Sequence, residues 1–234
     1  MVKVFYEGCD IAKYGSSPLV VGFTTNTTLM CQSNQLCYQT FYEANKDMIQ
    51  GRPISFQIFS DYVTTIEDQA YQIHSLGDSV YVTIPIINSR GESLLPVITK
   101  LSEQGIRVNI TAVFTVPQLT QIREALRSSP STTPIVVSVF GGLISDTGVV
   151  PQNMIQHAVH EFSRLKHVEV MWVGVKDNLI LDLANEVNCH IVTLPDSIMG
   201  RINRIGQSLD NLSKETVASF LKDAVEGRLC ITAL

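Results

Sequence analysis

Ser79-Val80-Tyr81-Val82-Thr83-Ile84-Pro85-Ile86 is the stretch that decides the fold. It is apolar, rich in β-branched residues, and closes on a proline. A short run that is apolar on both faces fits a strand buried in a parallel sheet better than one with a wet side. Its one hydroxyl near the C-terminal end, Thr83, sits where such a strand delivers side chains to a binding mouth.

Outward from that strand the chain alternates in both directions. Strand-length apolar runs fall at Val2–Tyr6, Leu19–Thr24, Ile54–Phe59, Val80–Ile86, Arg107–Phe114, Pro134–Phe140, Val168–Val175 and Cys189–Leu194. Stretches with a 3.6-residue period lie between them, among them Ile66–Leu76, Leu94–Gln104, Val116–Leu126, Met154–Leu165 and Leu179–Val187. The first connection, Asp10–Ser17, has room for no more than two turns. Thr115 is placed to cap the helix that starts at Val116, Gly77 and Gly105 stand where C′ glycines end helices, and Pro151 suits a first turn. Eight strand–helix units predict an α/β protein, a closed (β/α)8 TIM barrel. No G-x-G-x-x-G follows the first strand, which argues against a dinucleotide-binding sheet. The reading is one barrel domain over 1–234, with an eighth helix at Ser197–Leu209. An appended C-terminal helix at 214–228 has Ala218, Phe220, Leu221 and Ala224 on its apolar side.

Composition narrows the classes of partner. Among 234 residues, 45% are hydrophobic and 17% charged, with a formal net charge of −5 and no block of like charges. That balance excludes a broad nucleic-acid footprint or an anionic-membrane patch. No signal peptide precedes the first strand and no run approaches a membrane span, so a cytoplasmic protein is expected. Five scattered cysteines without a C-x-x-C pair read as reduced thiols. His157 and His160 share a helix face but lack a third ligand, and no metal or cofactor is expected.

In a barrel of this type the polar residues at strand C-termini face the functional end. These are Glu7, Thr24-Thr25-Asn26, Gln57, Thr83, Asn109 and Thr111, Ser138, Lys176-Asp177, and Thr193. A buried Thr or Asn is often a satisfied structural group. The convergence of so many hydroxyls and amides, with so little charge, suits a polyhydroxylated ligand such as a sugar.

Four segments resemble the transaldolase family, in the branch that includes the fructose-6-phosphate aldolases. Phe23-Thr24-Thr25-Asn26-Thr27-Thr28-Leu29 is similar to T-T-N-P-[ST]-L, with threonine for proline. Val82-Thr83-Ile84-Pro85 resembles V-K-[IL]-P, with the lysine changed. Gly105–Thr115 matches G-[IV]-x-x-N-[VI]-T-x-[IL]-F-[ST] except at one apolar position. Val137–Leu143 resembles V-S-x-F-x-G-R without the arginine. Order and spacing hold along nearly the whole chain.

The resemblance implies enzymes that form a Schiff base between a strand-four lysine and a ketose. Position by position it places Glu7 where the family has an acid/base aspartate, and Asn26 and Asn109 at substrate-binding asparagines, beside Thr25. Gln57 and Thr111 correspond to the pair that orients a catalytic water, and Ser138 to a hydroxyl-binding serine. The departures lie where the reaction happens. Thr83 replaces the lysine, Leu143 and Gly174 replace two phosphate ligands, and Lys176 stands two residues after Gly174, where many members have an arginine. A hydroxyl cannot form an iminium. Three readings stay open: an imine on Lys176 in place of Thr83, proton transfer by Glu7 on a bound sugar or sugar phosphate, and a non-catalytic sugar-binding or regulatory relative. Lys176 is the only lysine that the sequence places at the strand C-terminal end. Relatives that assemble through their C-terminal helices imply a homo-oligomer.

Overall fold

The computed structural model describes residues 1–232. In chain order it contains β1 (Lys3–Glu7), α1 (Ile11–Tyr14), β2 (Val20–Thr24), α2 (Thr27–Gln32), α3 (Tyr38–Ile49), β3 (Ile54–Gln57), α4 (Val63–His74) and β4 (Val80–Pro85). Then follow α5 (Leu95–Glu103), β5 (Val108–Val113), α6 (Val116–Ser128), β6 (Ile135–Val139), α7 (Gly141–Asp146), α8 (Pro151–Phe162), β7 (Val168–Trp172), α9 (Ile180–Glu186), β8 (Ile191–Pro195) and α10 (Asp196–Met199). A 3-10 turn at Ile202–Arg204 and α11 (Leu209–Glu226) complete it. The strands close into one barrel in the order β1 to β8, every pair parallel. The expected (β/α)8 architecture is therefore the observed one.

The local chemistry is largely as read. Thr115 caps α6 in a reciprocal box with Gln118, Gly105 adopts φ +85° just beyond α5, and Pro151 is the first residue of α8. Gly77 differs from the expectation. Its φ is not left-handed; a Cβ there would run into the Tyr42 ring, so close packing accounts for the glycine. The stretch between β2 and β3, unassigned from sequence, forms α2 and α3. Ser197–Leu209 is not one helix but the short α10 and the 3-10 turn. The last helix starts at Leu209, five residues earlier than read, because Ser208 accepts a hydrogen bond from the Asn211 N–H and caps it there.

The chain divides into two compact units, Met1–Met199 and Gly200–Leu234. Within the first, inward side chains alternate along each strand and stack in layers. Phe5, Tyr81, Val136, Met171 and Ile191 form an apolar layer across the barrel, joined by Val173 and by the partly buried Phe140. Below it, at the N-terminal end, Lys3 pairs with Glu169 at 2.7 Å and the Arg107 guanidinium lies 5.9 Å from the centre of the Tyr81 ring. Two residues further along β1, β4, β6 and β8 come Glu7, Thr83, Ser138 and Thr193. The apolar layer is thus the floor of a polar one. In the second unit α11 carries no buried residue, and Val217, Phe220, Leu221 and Val225 are all exposed.

Candidate functional site

Strand register assembles the polar layer. Gln57, Thr83 and Asn109 are successive Cα partners across β3, β4 and β5, and Glu7 is partnered with Thr24. Thr24, Thr83, Asn109, Ser138 and Thr193 are all buried. Burial without a partner would cost each of these groups roughly 1–3 kcal/mol, so they bond to one another. Ser138 donates its hydroxyl to Asn109 Oδ1 at 2.7 Å, and Asn109 Nδ2 donates to Thr83 Oγ1 at 3.4 Å. The Thr24 and Thr193 hydroxyls share a hydrogen bond of 2.6 Å. Because Thr83 accepts from Asn109, its own hydroxyl hydrogen is left to point elsewhere.

Glu7 is the one titratable side chain in this layer among the described residues. It is partly buried at the end of β1, and desolvation pushes its carboxyl from the ordinary 4.5 up to about 7. The same carboxyl can therefore give or take a proton near neutrality.

The remaining expected site residues divide into two groups. Thr111 lies in the mouth beside a distortion of β5: the register slips between Ile110 and Val113, and Ala112 adopts φ +58°. A bulge of this kind re-aims the neighbouring side chain and is frequent beside functional sites. Gln57 stays partly accessible, its carbonyl held by the Tyr38 hydroxyl at 2.7 Å. Thr25 and Asn26 instead serve the backbone. Thr25 donates to the Ser55 carbonyl at 2.8 Å, and Asn26 Oδ1 accepts from Leu29 N–H at 2.9 Å as the N-cap of α2.

Lys176 leaves the strand end and is about half exposed, paired with Asp146 of α7. It is not the only lysine at this end of the barrel. Lys13 in α1 pairs with Asp196 at 2.7 Å, and Tyr14 donates to the same carboxylate. Sequence reasoning missed Lys13 because its pairing depends on closure of β8 against β1. Leu143 and Leu179, in the segments after β6 and β7, are more than half exposed. The Gly142 N–H, next to Leu143 in the chain, donates to the Val173 carbonyl at 3.2 Å. A Cβ on Gly142 would overlap the Gly174 carbonyl, and Gly174 itself has φ +76°. His157 Nε2 lies 3.9 Å from Glu161, and among the described residues no group of three His, Cys, Asp or Glu side chains is arranged to hold a metal. Among them, too, no helix is long and apolar enough to cross a membrane.

With this geometry in hand, comparison with known proteins is informative. A family model described as Transaldolase/Fructose-6-phosphate aldolase matches residues 7–228. The chain is 27% identical to a probable transaldolase of Nitrosopumilus maritimus over 227 residues, covering 95% of this chain and 94% of that one. It is 26% identical to a probable transaldolase of Bdellovibrio bacteriovorus over 202 residues, covering 85% and 88%. Among solved structures, KGPDC from Streptococcus mutans superposes with a TM-score of 0.55 at 13% identity, covering 88% of this chain and 93% of that one. Thiamine phosphate pyrophosphorylase from Pyrococcus furiosus gives a TM-score of 0.52 at 8% identity, covering 85% and 88%. At such identities the structural likeness speaks to the fold alone.

Proposed function

The chain belongs to the transaldolase/fructose-6-phosphate aldolase family, and from that premise we propose that it moves a proton on a sugar-like hydroxy-carbonyl compound without forming an imine. The observation that carries this reading is Glu7, the one titratable group of the polar layer, held at about 7 by its burial. A general base works best with a pKa near the working pH, and such a group supplies roughly 10²–10⁴-fold in rate.

The Glu7 carboxylate takes a proton from the carbon next to the ligand carbonyl, and that C–H electron pair shifts toward the carbonyl oxygen to give an enediolate. The Thr83 hydroxyl hydrogen, left over by the bond from Asn109, supports the developing negative oxygen. Glu7 then returns its proton to the former carbonyl carbon on the same face, while the proton of the neighbouring enediol hydroxyl passes to the oxygen supported by Thr83, giving the isomeric hydroxy-carbonyl compound and restoring the carboxylate. Gln57 and Thr111 are suited to hold a water or a ligand hydroxyl beside this path, and Asn109 and Ser138 fix the far side.

An imine has no counterpart in this layer. Thr83 lacks a nitrogen, and Lys176 is exposed and ion-paired rather than desolvated. The reading therefore places any activity on Glu7. Incubation with D-fructose in deuterated water, followed by NMR, should show deuterium entering next to the carbonyl, and Glu7→Gln should stop it. Borohydride trapping should leave no sugar adduct on Lys176. Ligand binding without any deuterium incorporation sinks the catalytic reading in favour of a sugar-binding relative. That second reading draws support from Thr25 and Asn26, whose side chains already serve the backbone. The exposed apolar side chains of α11 support assembly with further copies of the chain, measurable by light scattering.

A further inference from the structure

The opposite end of the barrel, at the strand starts, holds a cavity of about 300 Å³. The alternation that sends Gln57, Thr83 and Asn109 inward at the mouth sends Ser55, Tyr81 and Arg107 inward two residues earlier, on β3, on β4 and just ahead of β5. Ser55 and Tyr81 are Cα partners, and the Val82 N–H donates to the Arg107 carbonyl at 2.9 Å, so the three residues form one row across neighbouring strands. Ser55 and Tyr81 are 3% and 8% exposed, and both line the cavity. The Arg107 guanidinium lies beside them, 5.9 Å from the centre of the Tyr81 ring.

This row carries donors that nothing else in the chain takes up. Among the described residues the Ser55 and Tyr81 hydroxyls and the Arg107 guanidinium make no hydrogen bond, and Arg107 makes no ion pair. Buried polar groups are normally hydrogen-bonded, so a row of unpaired donors at one cavity calls for an acceptor. The charge at this opening points the same way. Within the strand starts, and immediately before them, the charged side chains are Lys3, Arg107 and Glu169. Lys3 and Glu169 line the cavity and neutralise each other at 2.7 Å. His167 and His190, just ahead of β7 and β8, are held below the ordinary histidine range by burial and add no charge at neutral pH. Arg107 is thus left as an unmatched cation in a chain of net charge −5. The remaining cavity wall is apolar and includes Phe5 and Val136.

We infer that this cavity is a second binding site, for a small carboxylate with an apolar body. The carboxylate bonds to Arg107 and to the Ser55 and Tyr81 hydroxyls, and the body packs against Phe5 and Val136. A guanidinium presents parallel N–H groups that match the two oxygens of a carboxylate. One unmatched cation suits one negative charge; a phosphate dianion brings a second, with only the Glu169 carboxylate and apolar walls to meet it. The cavity lies at the lower end of the roughly 300–1,000 Å³ typical of small-molecule sites, which limits the body to about one ring or a short alkyl chain. Barrel enzymes place their chemistry at the other end, so this site is separate from the proton-transfer reading and does not depend on it.

The test is binding, measured by calorimetry or ligand-observed NMR on the full chain. Phenylacetate and hexanoate supply the carboxylate; phenylacetamide and phenethylamine share the aromatic body but are neutral and cationic. Phenylacetate should bind at least about tenfold tighter than its amide, the scale of a hydrogen bond to a charged group, and the amine should bind weakest. Arg107→Gln should weaken phenylacetate by about tenfold or more and bring it level with the amide. Tyr81→Phe, which keeps the ring and removes only the hydroxyl, should weaken it by about two- to tenfold and covers the case in which the first variant misfolds. Glu7→Gln, at the opposite end of the barrel, should leave carboxylate affinity where it is.

Failure of both carboxylates to bind the wild-type chain at about 10 mM overturns the inference, as does equal affinity for phenylacetate and phenylacetamide. Carboxylate binding that Glu7→Gln changes while Arg107→Gln and Tyr81→Phe do not assigns the ligand to the polar layer and overturns the second site as well.

Discussion

Replacing Glu7 with glutamine should stabilise the protein by an amount that grows between about pH 4.5 and 7 and is complete above that range. Glutamine keeps the shape of the side chain and removes its titration. In the folded chain the Glu7 carboxyl sits at about 7 instead of the ordinary 4.5, because burial penalises the charged form. A folded-state value raised above the unfolded one means that folding favours the proton. The associated stability is fully present below about pH 4.5 and is lost as pH rises through about 7. At about 1.4 kcal/mol per pH step the full difference approaches about 3 kcal/mol, and water reaching the open mouth trims it to about 2 kcal/mol. At pH 8 Glu7→Gln should therefore melt higher than wild type by about 4–8 °C, given roughly 2–4 °C per kcal/mol for a domain of this size. Near pH 4.5 the two should nearly coincide. Urea denaturation at both pH values measures the same quantity without extrapolating in temperature. A gap that stays constant between pH 4.5 and 8, or a glutamine variant that is less stable at pH 8, refutes the assignment of a buried, proton-holding carboxyl.

Three further outcomes are expected. Thr83→Lys, introducing an amine at a buried position beside Asn109, should cost about 1–3 kcal/mol of stability and let borohydride trap dihydroxyacetone on residue 83, read as a mass increase. Ser138→Ala removes the donor to Asn109 Oδ1, so denaturant unfolding should show a loss of about 1–2 kcal/mol, and ligand affinity should fall with it. Gly142→Ala forces a methyl against the Gly174 carbonyl and should lower the melting temperature by several degrees; a neutral effect there contradicts the packing.

How far the sequence could be read depended on the range of the interaction concerned. Val80–Pro85 announced itself because burial on both faces leaves a local signature, and the Thr115–Gln118 box is contained within four residues. The polar layer was legible as a set, since period-two alternation sends Glu7, Gln57, Thr83, Asn109 and Ser138 inward from the ends of their strands. Which of them bond to each other was not legible. The Ser138–Asn109–Thr83 relay depends on register between three strands, and the Lys13–Asp196 pair on ring closure across 183 residues. Asn26 looked like a ligand group, yet its carbonyl oxygen starts α2; Ser, Thr, Asn and Asp fit both roles equally well by type. The left-handed Ala112 left no trace in composition, because alanine rarely adopts that conformation and nothing local calls for it.

The meeting of Gly142 with Gly174 has a consequence for how this rim can change. Contact there is main chain on main chain, so the seam offers no side chain that small substitutions could adjust. Any residue larger than glycine on the Gly142 side must push β6 and β7 apart before it can touch a ligand. New ligand preferences at this edge must therefore arise from a position that flanks the seam, such as the exposed Leu143, while the seam itself stays fixed.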